Sequence, residues 1–128
     1  MSIARVTQTE DVTVHELEGG NRLRGLATEG LRSTEVALWQ HVAEAGGGSP
    51  RHWHDHDQVI YIISGKGRII VGENEHEVAA GDVVIAPARI QHEVHAAPDR
   101  DLDTIVAMIA SLRSFRPDGS EIDTPWHR

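Results

Sequence analysis

This 128-residue chain predicts an all-β sandwich or barrel, on three observations. Short runs rich in Val, Ile and other strand formers recur along it. Turn signals separate them every 8 to 12 residues or so, the spacing of antiparallel β architectures. No long stretch carries the 3.6-residue period of an amphipathic helix.

In chain order, residues 1–33 read as an N-terminal arm of weak strands. Val12, Val14 and Leu17 alternate up to the Glu18-Gly19-Gly20 turn, and Arg22 to Leu26 follows. This arm is available to pack on a partner subunit. Residues 34–112 read as the barrel. Thr34 to Val42 is rich in β-formers, with Val36, Leu38 and Gln40 on one face and Ala37, Trp39 and His41 on the other. Gly46, Gly47 and Gly48 mark a plain loop, because neither the P-loop nor the dinucleotide pattern surrounds them and no helix follows. Val59 to Ile63 and Arg68 to Val71 are apolar runs joined by Ser64-Gly65-Lys66-Gly67, a hairpin signal. Glu75 to Val78 lies between the turns Gly72-Glu73-Asn74 and Gly81-Asp82. Val83 to Ala86 is ended by Pro87, which cannot donate to a ladder. His92 to Ala96 and Leu102 to Ala110 complete the set. Residues 113–128 are a polar tail or lid whose large apolar groups are Phe115 and Trp126, the latter expected to pin it.

The formal charge of −8 and the five aromatic side chains (three Trp, one Tyr, one Phe) argue against a nucleic-acid or anionic-membrane surface. The absence of cysteine removes disulfides, thiolate metal sites and cysteine nucleophiles. No apolar run reaches the roughly 18 residues of a membrane span, and residues 1–12 lack the apolar core of a signal peptide. The expected location is the cytoplasm.

Histidine is the unusual component. Six of the nine lie between residues 52 and 95. His52, His54, His56 and Gln58 are clustered just ahead of the Val59–Ile63 run. Imidazole is the commonest protein metal ligand. On a strand, His52 and His54 share one face with Cα atoms about 6.5 Å apart, near enough for both rings to lean onto one ion. Gln58 would lie about 13 Å beyond His54 on a straight strand. For it to join them the chain must bend at Asp55-His56-Asp57, residue types that favour turns.

These residues resemble the cupins, small β-barrel proteins with two conserved motifs. The first appears as Gly46, five residues, His52-Trp53-His54, three residues, Gln58, six residues, Gly65; Gln58 stands where most members carry Glu. The second appears as Gly81, five residues, Pro87-Ala88-Arg89, two residues, His92, three residues, Ala96, with Arg89 and Ala96 replacing the usual Gly and Asn. A register shifted to His54 and His56 leaves Ile60 and Tyr61 at the position that needs an acid or amide, so the first register is preferred. The resemblance implies a double-stranded β-helix (jelly-roll barrel). It also implies a metal site of His52, His54, Gln58 and His92, and a homodimer.

Ile60 and Ile62 are then expected to line the barrel beyond Gln58, while Tyr61 and Ile63 face a second subunit. Three imidazoles and an amide form a neutral donor set. One divalent transition metal (Zn, Ni, Fe, Mn or Co) would keep its full charge there and favour an anionic, chelating small molecule. That points to Lewis-acid work by an isomerase or lyase on a small carboxylated or sugar-derived substrate. A metal-dependent dioxygenase and a non-catalytic ligand-sensing cupin are the alternatives. His41, His56 and Arg89 are the candidate proton shuttles. His95 is expected to face away from His92, and His15, His76 and His127 to face solvent.

Overall fold

The computed structural model describes residues 4–128. Among the described residues twelve strands form: β1 (His15–Leu17), β2 (Asn21–Ala27), β3 (Val36–Ala43), β4 (Trp53–His54), β5 (Gln58–Ser64), β6 (Lys66–Val71), β7 (Asn74–Ala79), β8 (Val83–Ala86), β9 (His92–Ala96), β10 (Leu102–Ile109), β11 (Ser114–Phe115) and β12 (Glu121–Ile122). Short 3-10 turns occupy Thr9–Asp11, Glu29–Leu31 and Pro125–His127. The period-2 alternation read from the sequence is realised in β5 and along β3 as far as His41. In β5, Gln58, Ile60 and Ile62 are buried, whereas Val59, Tyr61 and Ile63 are exposed. In β3, Ala37, Trp39 and His41 point inward.

Every strand pairing is antiparallel. A six-stranded sheet runs β1-β2-β3-β10-β5-β8 and a three-stranded sheet runs β7-β6-β9. Leu23, Trp39, Ile60, Ile62, Leu102 and Val106 of the first sheet share one core with Ile69, Val78 and Val94 of the second. The result is a β jelly roll: each sheet hides the apolar face of the other, which is what lets so short a chain bury residues such as Ile62 and Ile69 completely.

The hairpin expected between β5 and β6 does not form. β5 pairs with β10 and β8, and β6 pairs with β7 and β9, so the chain changes sheets at Gly65. Gly65 has φ +91, and a Cβ there would collide with the Asp101 carbonyl. Turn chemistry marks a reversal of the chain but not the partner the strand then takes. Of the turns read from sequence between β5 and β8, only the one at Gly72-Glu73 closes a hairpin, β6 to β7.

The N-terminal segment is zipped onto the barrel by β2, which pairs along β3 from Asn21↔Ala43 to Ala27↔Leu38. The C-terminal segment adds a small sheet, β12-β11-β4, against the barrel. Trp126 then packs edge-on against Trp39 with ring centroids 5.8 Å apart. The Trp39 indole donates to His127 Nδ1 at 3.0 Å. His127 is therefore half-buried rather than solvated, and His15 likewise rests near the Trp126 ring, at 6.3 Å. An apolar residue near the terminus recruits its neighbours into the fold, an effect single-residue polarity does not signal.

Candidate metal centre

Three histidines converge from two segments. His52 and His54 flank Trp53 on and beside β4, and His92 begins β9. The segments are clipped by reciprocal backbone bonds, His52 N–H to His92 O at 3.1 Å and His92 N–H to His52 O at 2.8 Å. Arg89 N–H adds a bond to His54 O at 2.7 Å. Ring centroids lie 5.0 Å (His52–His54), 4.3 Å (His52–His92) and 5.1 Å (His54–His92) apart. One nitrogen from each ring falls within 4.8 Å of the others, a grouping that could hold a single ion.

The hydrogen bonds of these rings fit a metal. His52 Nδ1 lies 2.7 Å from the Pro50 carbonyl. A carbonyl only accepts, so Nδ1 carries the proton and Nε2 keeps a lone pair. His54 Nδ1 is 2.8 Å from the buried Ser114 hydroxyl, while its Nε2 is buried with no partner; His92 Nδ1 is likewise buried and unpartnered. Buried ring nitrogens are normally satisfied, and an outer bond that orients a ring toward an ion is the usual arrangement around metal-binding imidazoles. Burial lowers all three proton affinities. His54 is brought down to about 2, with His52 and His92 adding to the effect, and His92 to about 3. His52 is lowered too, against an opposing pull from the Pro50 carbonyl and Glu93. Neutral rings offer lone pairs near pH 7.

The bend that brings Gln58 back is tied down by its two aspartates. Asp55 Oδ1 accepts from Arg113 N–H at 2.8 Å, and Asp57 Oδ1 accepts from Ala88 N–H at 2.7 Å. Each carboxylate ties the bend to a distant segment. Gln58 is buried, lines the same cavity as the triad, and donates Nε2 to Met108 Sδ at 3.4 Å.

That cavity is about 220 Å³. Leu23, Trp39, Ile60, Val94, Val106 and Trp126 give it apolar walls, and no Lys or Arg is among its lining residues. His41 lines it, with its proton affinity lowered to about 4 by burial and then by His52. His56 and Arg89 do not line it; they sit together with Asp55, Asp57 and Ile109 at a separate surface groove. His95 also lies outside the cavity, 3.1 Å from Glu93 Oε1. Three groups at the site carried no local signal in the sequence. Asn21 bonds His41, Ser114 bonds His54, and Ile122, Thr124 and Trp126 of the C-terminal segment wall the cavity. Each comes from a strand or tail remote in sequence.

Residues 39–108, more than half of the chain, match the family model described as Cupin domain. The chain is 32% identical over 65 residues to an uncharacterised protein of Streptomyces coelicolor; the match covers 51% of this chain and 62% of that protein, so it spans less than two thirds of the relative's length. Among solved structures, the polyketide cyclase RemF from Streptomyces resistomycificus superposes with a TM-score of 0.77 at 17% identity, covering 97% of this chain and 91% of that one. An RmlC-like cupin from Shewanella frigidimarina gives a TM-score of 0.73 at 20% identity over 91% of this chain and 96% of that one. At these identities the structural likeness concerns the fold. The chain belongs to the cupin family.

Proposed function

We propose that this cupin holds one divalent transition-metal ion through His52, His54 and His92, with Gln58 as a fourth donor, and acts as a Lewis-acid isomerase or lyase. The observation that carries the reading is the convergence of three neutral imidazoles, His54 and His92 buried and His52 half-buried, each with a ring nitrogen within 4.8 Å of the others. Burying such nitrogens without an occupant would leave their desolvation unrepaid.

When bound, the ion would supply positive charge to a carbonyl or carboxylate oxygen and so ease loss of a neighbouring proton. The chain's own side chains select the substrate. The lining includes no cationic side chain, so an anionic end has to be received at the donor cluster. The remaining walls, led by Trp39, Ile60, Val106 and Trp126, favour an apolar body, with Glu18, Ser49 and Thr124 as polar groups among them. A small keto or hydroxy acid with an apolar remainder suits these walls better than a sugar, whose many hydroxyls would find few partners.

Elemental mass spectrometry of the untagged protein, beside a His52→Ala/His92→Ala double variant, tests the reading. Near one equivalent of transition metal, lost in the variant, is expected. No metal in either, even after incubation with each ion, would leave a binding barrel. Iron content together with substrate-dependent oxygen consumption would favour the dioxygenase instead.

A further inference from the structure

Apart from the triad, His41 is the imidazole that lines the cavity. Its Nε2 lies 2.8 Å from Asn21 Oδ1. The orientation of that amide is dictated by chemistry. Asn21 Nδ2 donates to the Glu18 carbonyl at 2.8 Å and to the Gly48 carbonyl at 2.9 Å. Reversing the amide would set its oxygen against two carbonyl oxygens, so Oδ1 must face His41. Oδ1 can only accept; His41 Nε2 therefore carries the proton and Nδ1 carries the lone pair. Among the described residues no hydrogen bond to Nδ1 is made, and the ring lines the cavity, which leaves Nδ1 as its basic edge. The backbone beneath is fixed as well, since the Thr104 hydroxyl donates to the His41 carbonyl at 2.8 Å.

We propose that His41, held by Asn21 with its proton on Nε2, presents Nδ1 to the cavity as the proton acceptor of the reaction, with Asn21 as its positioning residue. The assignment rests on the isomerase or lyase reading above. In such a step a C–H bond beside a carbonyl breaks. Its electron pair stays on the substrate, and the proton passes to Nδ1. The resulting imidazolium returns that proton to the other carbon in an isomerisation, or to the departing group in an elimination. The shared network explains why a polar pair is buried in an otherwise apolar wall: Asn21 and His41 satisfy each other and leave one basic edge free.

Two measurements on zinc-loaded protein test this. Nitrogen NMR of ¹⁵N-histidine-labelled protein should show His41 as a single tautomer, protonated at Nε2. Asn21→Ala should lose that uniqueness, and Asn21→Asp should raise the His41 protonation midpoint by about one to three pH units. The second probe is pyruvate, a small chelating keto acid, in heavy water. Exchange of its methyl protons should run faster with zinc-loaded protein than with free zinc, and His41→Gln should slow it by about 100-fold or more at unchanged zinc content. A proton on Nδ1, no acceleration by the wild-type protein, or wild-type exchange in His41→Gln would each overturn the assignment. The wild-type NMR result stands even if a variant fails to fold. A protein that binds no zinc would remove the metalloenzyme reading itself, so the two failures are distinguishable.

Discussion

Histidines inside the barrel and histidines on its rim meet opposite electrostatics. Inside, His41, His54 and His92 are buried among apolar walls with no carboxylate bonded to them, and burial is the largest influence on each. On the rim, His56 lies 3.0 Å from Asp55 and His95 lies 3.1 Å from Glu93, each in reach of solvent. Burial would push the Asp55 carboxyl up, but the Arg113 N–H and His56 outweigh it and hold it below the usual range. The same residue type is thus kept neutral inside the barrel and set beside an acid outside it. Desolvation without a counter-charge separates the two environments.

The strongest way to break this contrast is acid. A buried imidazole held below its ordinary value of about 6.5 stays unprotonated in the folded protein, while the unfolded chain takes up the proton. Stability is therefore full above about pH 6.5 and falls as pH drops toward the folded values, about 4 for His41, about 3 for His92 and about 2 for His54. Each group costs about 1.4 kcal/mol per pH unit in that window, so the metal-free protein should lose on the order of 6 kcal/mol between pH 7 and pH 5. Denaturant titrations at the two pH values measure it; equal midpoints would mean the inner histidines are not desolvated as drawn.

Metal should sharpen the contrast next. An ion bound only by the folded state at a thousand times its dissociation constant would raise stability by about 4 kcal/mol at neutral pH. A thermal melt of chelator-treated protein with and without added zinc or nickel reads this, and His52→Ala should abolish the rise. A smaller effect is expected from Ser114→Ala, which removes the hydroxyl on His54 Nδ1 but none of the donors. It should weaken metal affinity by about 10- to 100-fold, measured by competition with a chelator. An unchanged affinity would show that Ser114 does not orient the ring. Smallest of all, His56→Gln and His95→Gln should shift stability by no more than about 0.5 kcal/mol and leave metal content unchanged. Loss of metal in His56→Gln would revive the shifted motif register built on His54 and His56.

Most strand positions of the barrel, and the inward face of β5, were legible in the sequence because side-chain alternation is a local, period-2 property, whereas β11 and β12 lie in a segment that reads as a tail. That is how Ile60 and Ile62 were placed inward, how Ala37, Trp39 and His41 came to share a face, and how His52 and His54 were paired. The conjunction of His52, His54 and His92 at two separated motifs was legible only through the family resemblance, since nothing local connects residue 54 to residue 92. Partnership across the barrel lay beyond short-range pattern, although local turns do join β1 to β2 and β6 to β7. Gly65 reads as a hairpin turn, yet β5 and β6 belong to different sheets. Whether a strand pairs with the next one or crosses to the opposite sheet depends on which apolar faces can bury each other, a property of the whole chain. The same holds for the polar groups at the cavity. Asn21 meets His41, Ser114 meets His54, and Trp126 closes on Trp39 across long sequence separations. Each of those groups must find its partner in three dimensions to offset its burial, and only the tertiary structure decides which partner it finds.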